Sequence, residues 1–159
     1  MRLHIAAVGR LKAGPEREIY DRYVKLCAMG RSVSLGAPAH IEIPESRRGS
    51  SAQRCAEEAS ALLRKSPSGA VLAALDVTGK QMGSEAFARW LAARRDAGTA
   101  DLVLAIGGAD GHGQELLEAA TATVSLGPMT LPHGLARIVL AEQVYRAVTI
   151  LCGHPYHRA

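Results

Sequence analysis

The chain has 159 residues, 48% of them apolar and 21% charged, which excludes a disordered or low-complexity chain and suits one domain around one sizeable core. No apolar run approaches the ~20 residues that a membrane-spanning helix needs. The net charge is +4, with the surplus in the first half: residues 1–65 hold 12 Lys+Arg against 7 Asp+Glu, the remainder 7 against 8.

Apolar spacing then reads as short strands alternating with helices. RLHIAAVG (2–9) is the first strand. It reaches a charge and a turn too early for a secretory signal, so the cytoplasm is the expected location. PEREIYDRYVKLCAMG is a helix, with Pro15 in its first turn and Gly30 as its stop. HIEIPE (40–45) is a second strand, and ESRRGSS (45–51) a polar loop whose Arg47 and Arg48 could meet RNA or only solvent. Ser50 and Gln53 form a capping box for a helix to about Lys65. AVLAALD (70–76) is a nearly continuous apolar run, as in a strand covered on both faces. Ser84 is expected to cap a helix to about Arg95, and DLVLAIGG (101–108) is another buried strand. A short helix, GQELLEAA, precedes a fifth strand at TVSL (123–126), and LARIVLAEQVYRAVTIL (135–151) is the last helix. The alternation predicts an α/β fold with a largely parallel sheet flanked by helices.

Ligands in such sheets bind beyond the carboxyl ends of the strands. The first loop, VGRLKAG, lacks GxGxxG; the glycine-rich turn, IGGADGHG, instead follows the fourth strand. The loop after the fifth strand, SLGPMTLPHG (125–134), carries no charge apart from His133 if protonated. It offers backbone groups and apolar walls, which suit adenine and a nearby sulfonium rather than a triphosphate. A stiff connector would read the same way. The final helix is apolar nearly all round, which fits burial in the core or against a second subunit. Glu142 and Arg146 are spaced to pair at i,i+4. Asp76 and Asp110 follow strands, where a ribose contact or a simple turn role is open to each. His112 lies in the glycine turn, and His4 and His40 are expected to be structural or at the surface. Cys27, Cys55 and Cys152 are odd in number and widely spaced, so neither a disulfide framework nor a zinc site is expected. No metal cluster is expected.

The turn IGGADG, the block SLGPMTLPHGLARIVLAEQVYRA and the tail HPYHR, in this order, resemble the RlmH family of SPOUT-class methyltransferases. RLHIAAVGRLK and ALDVTGK extend the resemblance over the whole chain. The resemblance implies a single SPOUT domain over 1–159 with a deep trefoil knot in about 70–159. It implies a homodimer with sites at or near the interface. It also implies methyl transfer from S-adenosyl-L-methionine to N3 of pseudouridine 1915 in 23S rRNA, on assembled ribosomes. The donor contacts fall on Leu75, Gly107, Leu126, Gly127, Pro128, Met129, Thr130 and Leu131. Gly127 stands where many members carry serine, and Pro128 lacks an N–H to offer.

The tail then acquires a role. His157, or an ordered water, takes the N3 proton, and Arg158 holds a phosphate or the anionic carbonyl. Tyr156 stacks on or hydrogen-bonds the base, while His154 and Pro155 set the tail's path. The competing reading is a tail docked for packing, with Tyr156 as its anchor. Two other functions fit part of the pattern: a non-enzymatic RNA- or ribosome-binding module, and a related knotted tRNA methyltransferase.

Overall fold

The computed structural model describes residues 1–156. Five parallel strands form one sheet: β1 (Arg2–Val8), β2 (Ala39–Ile43), β3 (Val71–Gln81), β4 (Asp101–Ile106) and β5 (Ala122–Ser125), in the order β2-β1-β4-β3-β5. Five α-helices cover it: α1 (Pro15–Leu26), α2 (Ser51–Lys65), α3 (Ser84–Asp96), α4 (Gln114–Ala119) and α5 (His133–Leu151). All six residues of β4 are buried, which is why its sequence lacks the apolar–polar alternation of a strand with one wet face.

Side chains of β1 part in turn to the two faces of the sheet. Leu3, Ile5 and Ala7 join Tyr20, Leu91, Leu140 and Val144 in the layer under α1, α3 and α5. Ala6 and Val8 join Ala59, Leu62 and Leu116 under α2 and α4. At the amino edge of the sheet, Asp101 receives Arg2 Nε at 2.7 Å and lies 2.8 Å from His4 Nε2. Hydrogen bonds from Arg2 and His4 hold its carboxyl well below the usual carboxylate range. His4 is therefore structural.

Three local expectations change. The first helix tightens after Leu26 into a 3-10 segment, Cys27–Val33, so Gly30 lies inside a helical run rather than ending it. Ser84 is the first residue of α3, not its cap; Gly83 caps it, and the Ser84 hydroxyl donates to Gln143 Oε1 at 2.8 Å. β3 runs five residues beyond the apolar stretch that marked it. After pairing Leu75 with Val124 it bulges out, then returns to pair Lys80 with the same Val124 and Gln81 with Ser125. Gly79 permits the return, because a Cβ there would lie 2.7 Å from the Val124 nitrogen.

Ser50 behaves as read: its side chain accepts from Gln53 N at 3.3 Å and opens α2. The three cysteines are free thiols.

Candidate active site

All five strands point the same way, so their carboxyl ends share one edge of the sheet. There, a cleft of about 200 Å³ opens between the ends of β3, β4 and β5 and the first turn of α5. Seven of the eight residues predicted to touch a methyl donor line it together. Leu75 comes from β3 and Gly107 from the turn after β4. Leu126, Gly127, Met129, Thr130 and Leu131 come from the loop after β5. Pro128 is not among the lining residues and is exposed on that loop.

The loop is shaped from within. Gly127 has φ +128°, a conformation that side chains disfavour. Its N–H donates to Ser125 Oγ at 3.1 Å, and the Ser125 hydroxyl is 3.1 Å from its carbonyl oxygen. The glycine at this position therefore has a backbone reason.

The glycine turn is held from two sides. Arg54 of α2 pairs with Asp110 at 2.7 Å, and the Cys55 thiol donates to the Asp110 carbonyl at 3.4 Å. Within the cleft, His112 Nε2 donates to the Leu75 carbonyl at 2.9 Å, tying the turn to β3. Burial keeps the His112 pKa below its ordinary value, so the ring is neutral. Asp76 also lines the cleft, but its Oδ1 accepts from the Thr78 N–H at 2.8 Å and the Thr78 hydroxyl at 2.6 Å. Those two bonds lower its pKa. Asp76 thus makes its own turn, whereas Asp110 serves the turn and does not line the cleft. His133, the first residue of α5, completes the wall.

Asp76, His112 and His133 are, among the described residues, the titratable side chains of this lining; the rest is backbone, Thr130 and apolar surface. Among the described residues, no group of three His, Cys, Asp or Glu is placed to hold a metal. Three roomier clefts among the described residues differ in kind, one of them, of about 520 Å³, lying along the 8–16 loop beside Arg137. A second, of about 410 Å³, lies across Leu126 and Gly127, between α3 and α5. A third, of about 730 Å³, lies beside the 44–48 loop among charged side chains.

Arg137 was not singled out in the sequence, although an arginine inside LARIVLAE is the signal that could have found it. It is 2% exposed. Its guanidinium donates to the Val8 and Gly9 carbonyls, the latter at 2.8 Å, and to Glu42 Oε1 at 2.9 Å. These bonds fasten the opening turns of α5 over the ends of β1 and β2. Burial pushes the Glu42 carboxyl up, but the Leu11 N–H, His40 and Arg137 together hold it below its ordinary value.

The described part of the tail, to Tyr156, packs on the later turns of α5. The His154 N–H donates to the Thr149 carbonyl at 2.9 Å. The Tyr156 ring packs 4.6 Å from that of Tyr145 and 5.0 Å from the Arg146 guanidinium. Its hydroxyl donates to Glu142 Oε1 at 3.2 Å. Burial, with Tyr23 and Glu142 adding to it, pushes the Tyr156 phenol up to about 12. His157 and Arg158 lie outside the described residues. Tyr156 is anchored at Glu142, six residues past Ala136 of the cleft lining, so about 9 Å of α5 separates that anchor from the cleft wall.

A family model described as a predicted SPOUT methyltransferase matches residues 1–157. The chain is 52% identical over 160 residues to the Ribosomal RNA large subunit methyltransferase H of Xanthobacter autotrophicus, with 100% of both chains covered. To the protein of the same name from Agrobacterium fabrum it is 50% identical over 159 residues, covering 99% of each. Among solved structures, it is similar to the SpoU methyltransferase AviRb from Streptomyces viridochromogenes, solved with AdoMet. That match has 15% identity and a TM-score of 0.44, and covers 96% of this chain and 59% of AviRb. The full-length match to the family, together with half-identity to whole relatives, makes this chain a member of the SPOUT methyltransferase family.

Proposed function

We propose that the chain transfers a methyl group from S-adenosyl-L-methionine to N3 of a pseudouridine in 23S rRNA, within the ribosome and in the cytoplasm. The observation that carries this reading is the convergence of Leu75, Gly107 and the 126–131 loop on one nearly uncharged cleft. The relatives' shared name supports the ribosomal substrate.

The lining fits the donor. Backbone groups and apolar walls accept a flat adenine, Asp76 supplies a carboxylate near a ribose or a sulfonium, and among the described residues no lysine or arginine lines the cleft to repel one. Bound there, the donor supplies an electrophilic methyl carbon on a positively charged sulfur. The chain's part is to hold the base in line and to relieve N3 of its proton, since a neutral imide nitrogen is a poor nucleophile. His157, or a water beside it, takes that proton. Arg158 balances the charge left on the base carbonyl or binds a phosphate. Tyr156, 36% exposed, offers its open edge to the base. Pro128 acts by stiffening the loop rather than by contact.

The working unit in this reading is a homodimer. Tyr156 is anchored on α5 beyond the cleft lining, and a second copy would bring its tail to each cleft. We also place residues 1–159 in one domain, with the deep trefoil knot in about 70–159.

The test is mass spectrometry of 23S rRNA from a strain lacking the gene. One pseudouridine should be lighter by a methyl group and restored by the wild-type gene. Unchanged 23S rRNA would refute the substrate, and purified protein that releases no heat with S-adenosyl-L-methionine would point to a plain binding module.

A further inference from the structure

We propose that Glu142 is the positioning residue of the C-terminal tail, its carboxylate holding Tyr156 and thereby the stretch of chain that carries His157 and Arg158. The inference rests on the proposed catalytic role of that tail.

Glu142 sits on a helix that is apolar nearly all round, with only 17% of its side chain exposed. A carboxylate so placed is costly unless donors satisfy it, and four bonds converge on this one. Arg146 gives Oε1 its Nε at 3.0 Å and an Nη at 2.7 Å. The Tyr156 hydroxyl donates to the same oxygen at 3.2 Å. Gln143 Nε2 donates to Oε2 at 2.6 Å, and its own amide oxygen accepts from Ser84 at the start of α3. The carboxylate is thus oriented from α5, from α3 and from the tail.

An i,i+4 pair would need only Arg146, and is worth a few tenths of a kcal/mol. The additional arrangement concerns the tail. Arg146 neutralises Glu142 while lying over the Tyr156 ring, and Tyr145 backs the same ring. Packing fixes where the ring sits; the bond to Glu142, together with one to Tyr23, fixes how it is turned. Glu142 lines neither the cleft nor its neighbour across Leu126 and Gly127, although its partner Gln143 and Ser84 line the latter, so Tyr156→Phe is the variant that isolates the route through the tail.

The experiment measures turnover on ribosomes from the deletion strain for wild type, Glu142→Ala, Glu142→Gln, Tyr156→Phe, His157→Ala and the Glu142→Ala/Tyr156→Phe double variant. Donor binding by calorimetry serves as the check of folding. Glu142→Ala should lose roughly ten- to a hundredfold in kcat, as for a misplaced reacting group, with donor Kd unchanged. Glu142→Gln keeps an acceptor oxygen and should recover much of the loss. If the carboxylate works through the phenol, the double variant should be no slower than the worse single one.

Wild-type kcat in Glu142→Ala, or losses that multiply in the double variant, would overturn the inference. Should His157→Ala turn over normally, the catalytic reading of the tail falls and takes this inference with it. An inactive His157→Ala beside a fully active Glu142→Ala would sink the role of Glu142 alone. Should Glu142→Ala fail to bind donor, the isosteric Glu142→Gln and Tyr156→Phe decide: a Tyr156→Phe variant with wild-type kcat refutes the link.

Discussion

At the residue scale, His112 couples the cleft to pH. Buried and neutral, it donates to Leu75 across the cleft wall. Its folded pKa lies below the ordinary 6.5, so in the intervening range the unfolded chain binds the additional proton. The stabilisation is complete above about 6.5 and is lost as pH falls through the lowered folded value. Urea denaturation followed from neutral into mildly acidic buffer should show stability falling, with a shallower fall in His112→Gln. Donor affinity should weaken over the same range, because a protonated ring would repel a sulfonium; calorimetry across pH checks this. The residues that build the cleft were legible one by one, since loops free of charge and rich in glycine stand out in a chain with this many arginines. Arg137 and the convergence on Glu142 were not, because long-range partners such as the Val8 carbonyl leave no mark on local spacing.

At the element scale, helix starts depend on small features that can be measured. Ser50 accepts from Gln53 N, so Ser50→Ala should cost about 1 kcal/mol and Ser50→Gly only a few tenths. Chemical denaturation would resolve the two. If α2 loosens at its start, the Arg54 and Cys55 grip on the glycine turn weakens with it, and donor affinity should fall modestly in Ser50→Ala. The apolar runs of β1, β3 and β4 were plain in the sequence because both of their faces are covered. The second part of β3, Val77–Gln81, was hidden: it pairs with β5 alone, and Val77, Thr78, Lys80 and Gln81 are exposed, three of them polar. Ser84 looked like a cap because serine before a helix usually is one; here the long-range bond to Gln143 uses its hydroxyl instead.

At the scale of the whole molecule, three exposed apolar side chains stand near the cleft: Val77 at 60%, Met129 at 77% and Leu135 at 44%. In a homodimer these would be covered. Leu135→Glu should leave the monomer folded, since the side chain is already in water, yet abolish dimerisation and methyl transfer together. Sedimentation equilibrium beside a ribosome methylation assay would check this, and full activity from a monomeric variant would contradict the dimeric working unit. The sheet order was beyond periodicity, which reports how an element faces its neighbours but not the path taken between them.

The doubled pairing at Val124 has an evolutionary corollary. Leu75 and Lys80 both align with that single residue, so the stretch between them is a spacer of set length. Dropping one codon there would slip Lys80 and Gln81 by a position and turn their side chains to the opposite face. Point changes that spare Gly79 would leave the count intact. Gene copies drifting apart should therefore vary in spelling across this stretch and almost never in length.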